Sequence, residues 1–383
     1  MSPRFCQLRS IAALLVGLAF VRETRAEDTV SVKYQDYRET GGRISVRVSS
    51  VLFAKDLGAA MQLKVGGVVD TIVGATPNGL PPATPDGPVP LSTLAEERKA
   101  WNAEFARQWS RVKIALGAAQ SRESDYVSTG WSVNTLTDFN EKNTNHTHGV
   151  AQLDDEVKVA FQTDWMEKRT LDFIVGVTQL VDPLTSVSFY LTHSRADGYL
   201  SDPYKLVQKR VEVFPGLFLR RSFGENRPDS RIKWIALAAL NRSFPSFNGA
   251  LDASYRYHRD DFGVRSHMVN LEWFQQVGAR LLLRPSFRYF VQDAADFYFL
   301  TLTGTNVTPN DQPTGQTPFY SADYRLSALE TLTYGLKAIW SMTDAWQFDA
   351  AIERYVMRGR DGVTSPYAYP DANIVTVGIK FTF

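Results

Sequence analysis

The sequence predicts an all-β protein, a transmembrane antiparallel up-and-down β-barrel of about 16 strands (14–16), on three observations. Many segments alternate apolar and polar side chains. Their connections alternate between short and long. The last stretch, NIVTVGIKFTF (373–383), alternates without fraying up to an aromatic residue, with Val375, Val377, Ile379, Phe381 and Phe383 on one face. A period of two is the mark of a strand with one apolar and one polar side.

The beginning of the chain reads as an export signal. Arg4 and Arg9 precede an apolar run from Ile11 to Val21, and Thr24-Arg25-Ala26 offers a small residue for cleavage, so residues 1–26 are expected to be removed. That run is shorter than the roughly 20 residues a spanning helix needs. Mean hydropathy is −0.22, so a helical membrane protein is excluded on composition as well. The expected mature chain, 27–383, is a single barrel domain with 38 basic and 40 acidic residues, a balance that encourages no nucleic-acid partner. Its only cysteine, Cys6, leaves with the leader, which removes disulfides and Cys-based metal sites from consideration.

The clearest strands lie in the second half of the chain. GALDASYRYH (249–258), MVNLEW (268–273), RLLLRPSFRYF (280–290), TLTYGLKAIW (331–340) and AWQFDAAIE (345–353) each separate an apolar from a polar face. RISVRVSSVLF (43–53), QLKVGGVVDTIV (62–73), RVKIALGAA (111–119), TLDFIVGVTQLV (170–181) and SVSFYLTH (186–193) do so less cleanly. LSTLAEERKAWNAEFARQW (91–109) is the best helix candidate, yet its Trp101, Ala103, Phe105 and Trp109 also fit a strand, which is the reading adopted. Short turns are expected at 55–58, 108–111, 181–184, 275–278 and 341–344, and long loops near 74–96, 153–168, 196–229, 293–320 and 358–371. Short turns at one rim and long loops at the other are the asymmetry of outer-membrane barrels. Lipid cannot satisfy open backbone groups, so the sheet must close, the last strand pairing with the first. Phe381 and Phe383 then belong to an aromatic girdle, and a terminal Phe is also the expected signal for the barrel-assembly machinery. The expected location is the outer membrane of a Gram-negative bacterium, with the lipid bilayer as solvent.

Several stretches resemble a family of outer-membrane proteins known as domain of unknown function 3570: DTIVGATP (70–77), NTLTDFNEKNT (134–144), RADGYLSDPYK (195–205), ENRPDSR (225–231), YRYHRDDFGVRSH (255–267) and ADYRLSALETLTYGLK (322–337). The family often has Ser and Trp where this chain has Val73 and Phe262. The resemblance brings no established catalytic or binding residues. It implies neighbourhood with a small lipoprotein, a thioredoxin-like protein and a flavin-transfer enzyme, so a small lipoprotein or a periplasmic redox protein is a candidate partner.

Enzymatic chemistry finds little support in the residues. His258-Arg259-Asp260-Asp261 and Arg265-Ser266-His267 face each other across one hairpin tip, but no nucleophile motif accompanies them, so an outer-membrane hydrolase is the minor alternative and no enzyme is expected. His146 and His148, with Asp154 and Asp155 downstream, form too small a ligand set for a metal. Asp197, Asp202 and Asp229 match no calcium-loop spacing, and no cofactor is expected. Charged residues on polar strand faces suit a hydrated lumen better than a packed core. The expected lumen wall comprises Asp252, Arg256, Glu272, Arg280, Arg284, Arg288, Lys337, Asp349 and Glu353. Two functions follow as expectations: a pore for small polar solutes, or a plugged, non-conducting scaffold serving a periplasmic redox or flavin-linked system.

Overall fold

The computed structural model describes residues 28–84, 87–159 and 164–383, so the expected leader lies outside the described residues. Alternation turns into strand almost everywhere it is read. β1 (Thr29–Glu39) rises from the rim where the described chain begins, and β2 (Ile44–Gly58) returns to it. The hairpins continue as β3 (Met61–Pro77) with β4 (Leu91–Gln108), β5 (Val112–Arg122) with β6 (Tyr126–Phe139), and β7 (Thr144–Lys158) with β8 (Trp165–Asp182). β9 (Thr185–Gly198) leads into a small separate hairpin, β10 (Leu206–Phe214) and β11 (Leu217–Gly224), before β12 (Ser230–Phe244) resumes the wall. β13 (Gly249–Asp260), β14 (Arg265–Val277), β15 (Leu281–Gln292), β16 (Leu329–Ser341), β17 (Trp346–Gly359) and β18 (Asp371–Thr382) complete it. All neighbours are antiparallel, and β1 pairs with β18 from Thr29↔Thr382 to Glu39↔Ala372. The result is a closed barrel of 16 strands, β10 and β11 standing apart.

Parity assigns the two faces. Val32 and Tyr34 of β1, Trp101 and Phe105 of β4, Tyr334 and Leu336 of β16, and Val375, Val377 and Ile379 of β18 are large, apolar and exposed, and each shares its parity with the outer face of its neighbours. A soluble barrel that left so many aromatic and aliphatic groups bare would aggregate, whereas lipid welcomes them. Near the rim that carries the short turns, Trp346 sits 4.6 Å from Phe381, which stacks at 5.6 Å on Phe383. Phe383 is itself tied to the first strand's approach by its N–H to the Asp28 carbonyl, 2.9 Å. Thus the aromatic end is ordered by the closing strand pair, with its ring on the outer face.

Charged side chains that face inward need room. Gly378 of β18 provides it: a Cβ there would collide with the Asp349 carboxylate of β17, which lies across it. Gly74 serves the backbone instead, with φ +140 and the Arg43 carbonyl where a side chain would begin.

Some loop boundaries differ from those the sequence suggested. The expected loop 153–168 is mostly ladder, Asp155↔Lys168 and Val157↔Met166 pairing before the chain turns. Loop 74–96 shrinks to 78–90, because Thr76 and Pro77 pair with Ser92 and Leu91. Strands that overshoot the apolar band carry charges on both faces there, which mimics loop composition. The 293–320 loop extends instead to residue 328. Stretch 91–109 is strand up to Gln108.

The unheated protein should run on a denaturing gel at a position different from the boiled one, the behaviour of a closed barrel. Gly74→Ala should lower the temperature at which the unheated form is lost, at a cost of more than about 1 kcal/mol, since alanine cannot take that backbone without strain. An unchanged transition would refute the strain at Gly74.

Candidate functional site: a lid of loops over a charged lumen

The lumen wall holds most of the residues the polar faces suggested, and it holds them in pairs. Asp252 stands opposite Glu272 in the β13–β14 ladder. Arg284 reaches Glu272 at 3.3 Å, and Lys337 meets Asp349 at 2.8 Å across β16 and β17. Arg288 donates to Asn270 at 3.2 Å and is exposed. Arg256 and Glu353 share the inward parity of Asp252 and Asp349. Arg284, Ser286, Lys337, Ala351, Glu353 and Thr376 line a cavity of about 100 Å³. Arg280 is the exception. It lies in the turn between β14 and β15, where its carbonyl accepts the Ser341 N–H, and so it is not part of the strand wall. Its position after Gly278-Ala279 puts it in the tight turn, a detail the alternation of 280–290 concealed.

Nearer the loop rim the wall carries buried pairs that the sequence reading did not single out. Arg98 clamps Asp70 between β4 and β3, with contacts of 2.7 and 2.8 Å, and Lys168 meets Asp155 at 2.7 Å. Cross-strand register explains both, since Asp70↔Arg98 and Asp155↔Lys168 are directly opposed.

Above this wall the long loops do not wave free. The 199–229 loop leaves β9 and reaches the β3–β4 connection, where the Leu206 N–H donates to the Asn78 carbonyl at 2.7 Å and the Lys205 ammonium bonds the Pro77 carbonyl. Tyr204 packs on the cluster of Ile44, Val46, Ile72 and Leu94, and its hydroxyl bonds Asp125 of the β5–β6 turn. In strand order β9 and β3 are six strands apart, so this loop crosses the mouth. The 293–328 loop comes from the other flank to meet it. Tyr320 and Asn226 exchange two backbone hydrogen bonds of 2.9 Å. The Asn226 side chain donates to the carbonyls of Gln316 and Pro318 and accepts from the N–H groups of Thr314 and Gly315, which uses its full bonding capacity. Around this joint Val207, Phe223, Leu302, Tyr320 and Ala322 form a dry cluster.

Beside it lies a buried network of charge. Glu225 binds Arg227 at 2.6 Å and accepts the Ser321 hydroxyl at 2.5 Å. Arg227 also reaches Asp323 at 2.7 Å. Arg325 holds Asp323 from the other side and bonds Asp202. Burial pushes the Glu225 carboxyl up to about 7; Arg227 works against the rise, while Asp323 and Asp202 add to it. Arg227 is raised: burial opposes this, but the surrounding carboxylates outweigh it. Burial draws Arg325 down to about 9, which leaves it ionised at neutral pH. The 360–370 loop joins through Tyr298–Thr364 at 2.5 Å and Tyr369–Ser327 at 2.7 Å, and Arg43 of the β1–β2 turn donates to the Tyr367 carbonyl at 2.8 Å.

The chemical candidates do not assemble. His146 and His148 share the outer-face parity of β7, while Asp155 faces inward near the strand's opposite end. Asp197 pairs with Arg195, Asp202 with Arg325, and Asp229 takes the Gln316 amide at 2.7 Å. Among the described residues no group of three or more His, Cys, Asp or Glu side chains is placed to hold a metal ion. His258 and Ser266 are opposed in register on the buried face, with Asp260 at 3.6 Å from His258, but Asp260 is also bound by Arg231 and by the N–H groups of Phe262 and Val264. That carboxylate orders the hairpin turn.

The fold is that of outer-membrane proteins. CdiB from Acinetobacter baumannii superimposes with a TM-score of 0.51 at 6% identity, covering 93% of this chain and 60% of that one. A bacterial polysaccharide outer membrane secretin gives 0.50 at 8% identity, over 94% and 100%. The monoaromatic hydrocarbon channel CymD gives 0.43 at 8%, over 94% and 90%. No curated protein matches the sequence. The model of the family described as "Protein of unknown function (DUF3570)" matches residues 12–88 and 83–368, and the chain therefore belongs to that family.

Proposed function

We propose that this chain is an outer-membrane protein of a Gram-negative bacterium whose barrel is held shut at the loop rim, a plugged scaffold in preference to a standing pore. The observation that carries this reading is the loop layer across the mouth, in which Asn226, Tyr320, Ser321, Glu225 and Asp323 are at most 1% exposed. Ordering two loops of this length costs roughly 1–2 kcal/mol per residue in backbone entropy. Loops that merely fringe an open pore would have no need of so many buried bonds. A scaffold leaves the short-turn rim for a partner, and a small lipoprotein or redox protein of the periplasm fits that role. The proposal gives the barrel no catalytic step and no cofactor. Phe381 and Phe383 serve in it as the assembly signal.

A second reading, a gated pore for small polar solutes, is favoured by one feature. The lumen below the lid is lined with charge, and Arg288 stands exposed in it. In that reading the loop layer is a gate in its closed state.

Planar-bilayer recording separates the two. Wild type should show no steady conductance, and a chain lacking 199–229 should conduct; an ohmic wild type would overturn the plugged reading. If it conducts, Arg284→Ala should shift the reversal potential toward cations at low salt, because Glu272 loses its partner, and the shift should fade as salt rises.

The lid should also respond to pH. Glu225 binds its proton more tightly folded than unfolded, so its contribution is fully present below about pH 4.5 and is lost as pH rises through about 7, by at most about 3 kcal/mol. Rate-corrected hydrogen exchange at the Asn226 and Tyr320 amides should be slower at acid than at alkaline pH. Glu225→Gln should flatten that dependence, and equal protection at both ends of the range would refute the assignment.

Phe383→Asp should reduce the folded barrel recovered from outer membranes while unfolded chain accumulates. Undiminished recovery would remove Phe383 from the assembly signal.

A further inference from the structure

The outer wall carries a patch of arginine that the lumen and lid do not explain. On β17 the outward parity runs Trp346, Phe348, Ala350, Ile352, and then Arg354, Val356 and Arg358. On β1 it runs Val30, Val32, Tyr34, then Asp36 and Arg38; on β18 it runs from Phe381 back to Val375, then Asn373 and Asp371. On β2, Arg47 stands opposite Asp36. The change from apolar to charged therefore falls at one level on four adjacent strands, since Arg38 and Arg354 both stand opposite Asn373. Arg354 lies eight residues from the girdle Trp346, which at about 3.3 Å per residue and a tilt of about 40° is roughly 20 Å, close to the full height of an apolar band. These guanidiniums stand where lipid headgroups begin.

Arg38, Arg354 and Arg358 are also held in position. Asp36 takes two bonds of 2.7 Å from Arg38, and Asp371 takes Arg354 at 3.0 Å and Arg358 at 2.5 Å. Arg354 donates to Asn373 as well, at 3.0 Å. Glu330, at the edge of the patch opposite Arg358, accepts the Tyr289 hydroxyl at 2.7 Å. Four guanidiniums thus face three carboxylates, and each tethered guanidinium keeps N–H groups uncommitted. A rigid array of oriented forks with surplus positive charge matches the oxygen geometry of phosphate.

We propose that the outward patch of Arg38, Arg47, Arg354 and Arg358 binds the phosphate groups of a lipid headgroup in the leaflet at the loop rim. A headgroup bearing more than one phosphate suits the spread of the patch over four strands. The site is independent of whether the lumen conducts.

The test uses the full-length barrel in detergent, delipidated and titrated with diphosphorylated lipid A, with phosphatidylcholine, and with inorganic phosphate, binding being read by native mass spectrometry and by the shift of the gel-mobility transition. Lipid A should be retained and should raise the transition, and neither phosphatidylcholine nor inorganic phosphate should do so. Arg38→Gln and Arg354→Gln should each weaken lipid A by about fivefold, a step of about 1 kcal/mol per basic residue at a membrane surface. Should either variant fail to fold, wild type titrated at rising salt supplies the same answer, because the affinity must fall. Equal retention of lipid A and phosphatidylcholine, indifference to salt, or variants that bind as wild type would overturn the proposal. An equal response to inorganic phosphate would make this a free-anion site and would overturn the lipid as its occupant.

Discussion

Everything in this molecule depends on the ladder that joins β1 to β18. A sheet in lipid has no solvent for its edges, and an unpaired edge strand would leave a row of N–H and C=O groups unsatisfied. The pairing from Thr29↔Thr382 to Glu39↔Ala372 removes both edges at once. It also fixes parity around the entire circumference, because a slip of one residue at the seam would turn Val375, Val377, Ile379 and Phe381 of β18 inward and Lys380 into lipid. Ion pairs such as Arg98–Asp70 and Lys337–Asp349 are consequences of that register, since each joins strands whose residues alternate in phase.

Closure creates a second demand. A hoop of 16 strands encloses a space too wide for wall side chains alone to fill. The chain answers at one end only. The loops at 199–229 and 293–328 supply a secondary core, with its own apolar cluster, its own ion network and a fully bonded asparagine. Among the described residues, the short turns of the opposite rim supply nothing comparable. This division assigns order to one mouth and leaves the other to the strand ends.

The wall was legible in the sequence because its rule is local. Alternation over ten residues declares a strand, and Asp252, Glu272, Arg284, Lys337 and Asp349 could be placed inward by counting in twos. Arg280 broke the count because a turn residue has no parity. The lid was not legible, because its contacts join residues some 90 positions apart, as with Ser321 and Glu225, and no period links them. Stretch 206–224 lies inside a connection long enough to read as loop, although Phe214-Pro215-Gly216-Leu217 is a turn between two segments that mix apolar and charged residues, a signal for β10 and β11. Three of the six segments that carry the family resemblance supply the lid's ion network: 195–205 holds Asp202, 225–231 holds Glu225 and Arg227, and 322–337 holds Asp323 and Arg325. Their meaning is tertiary.

The crossing of the 199–229 loop from β9 to the β3–β4 connection has a mechanical side. A thin-walled ring flattens easily into an ellipse under lateral pressure, because bending each strand pair by a few degrees costs little. A chord fixed at two distant points of the ring stops that mode in one direction and permits it in the other. With Lys205 fastened at Pro77 and Gly198 held at Asp229, the barrel carries such a chord. Its cross-section is therefore stiffened along that chord, and the 293–328 loop, joined to it at Asn226 and Tyr320, ties in a third point of the ring.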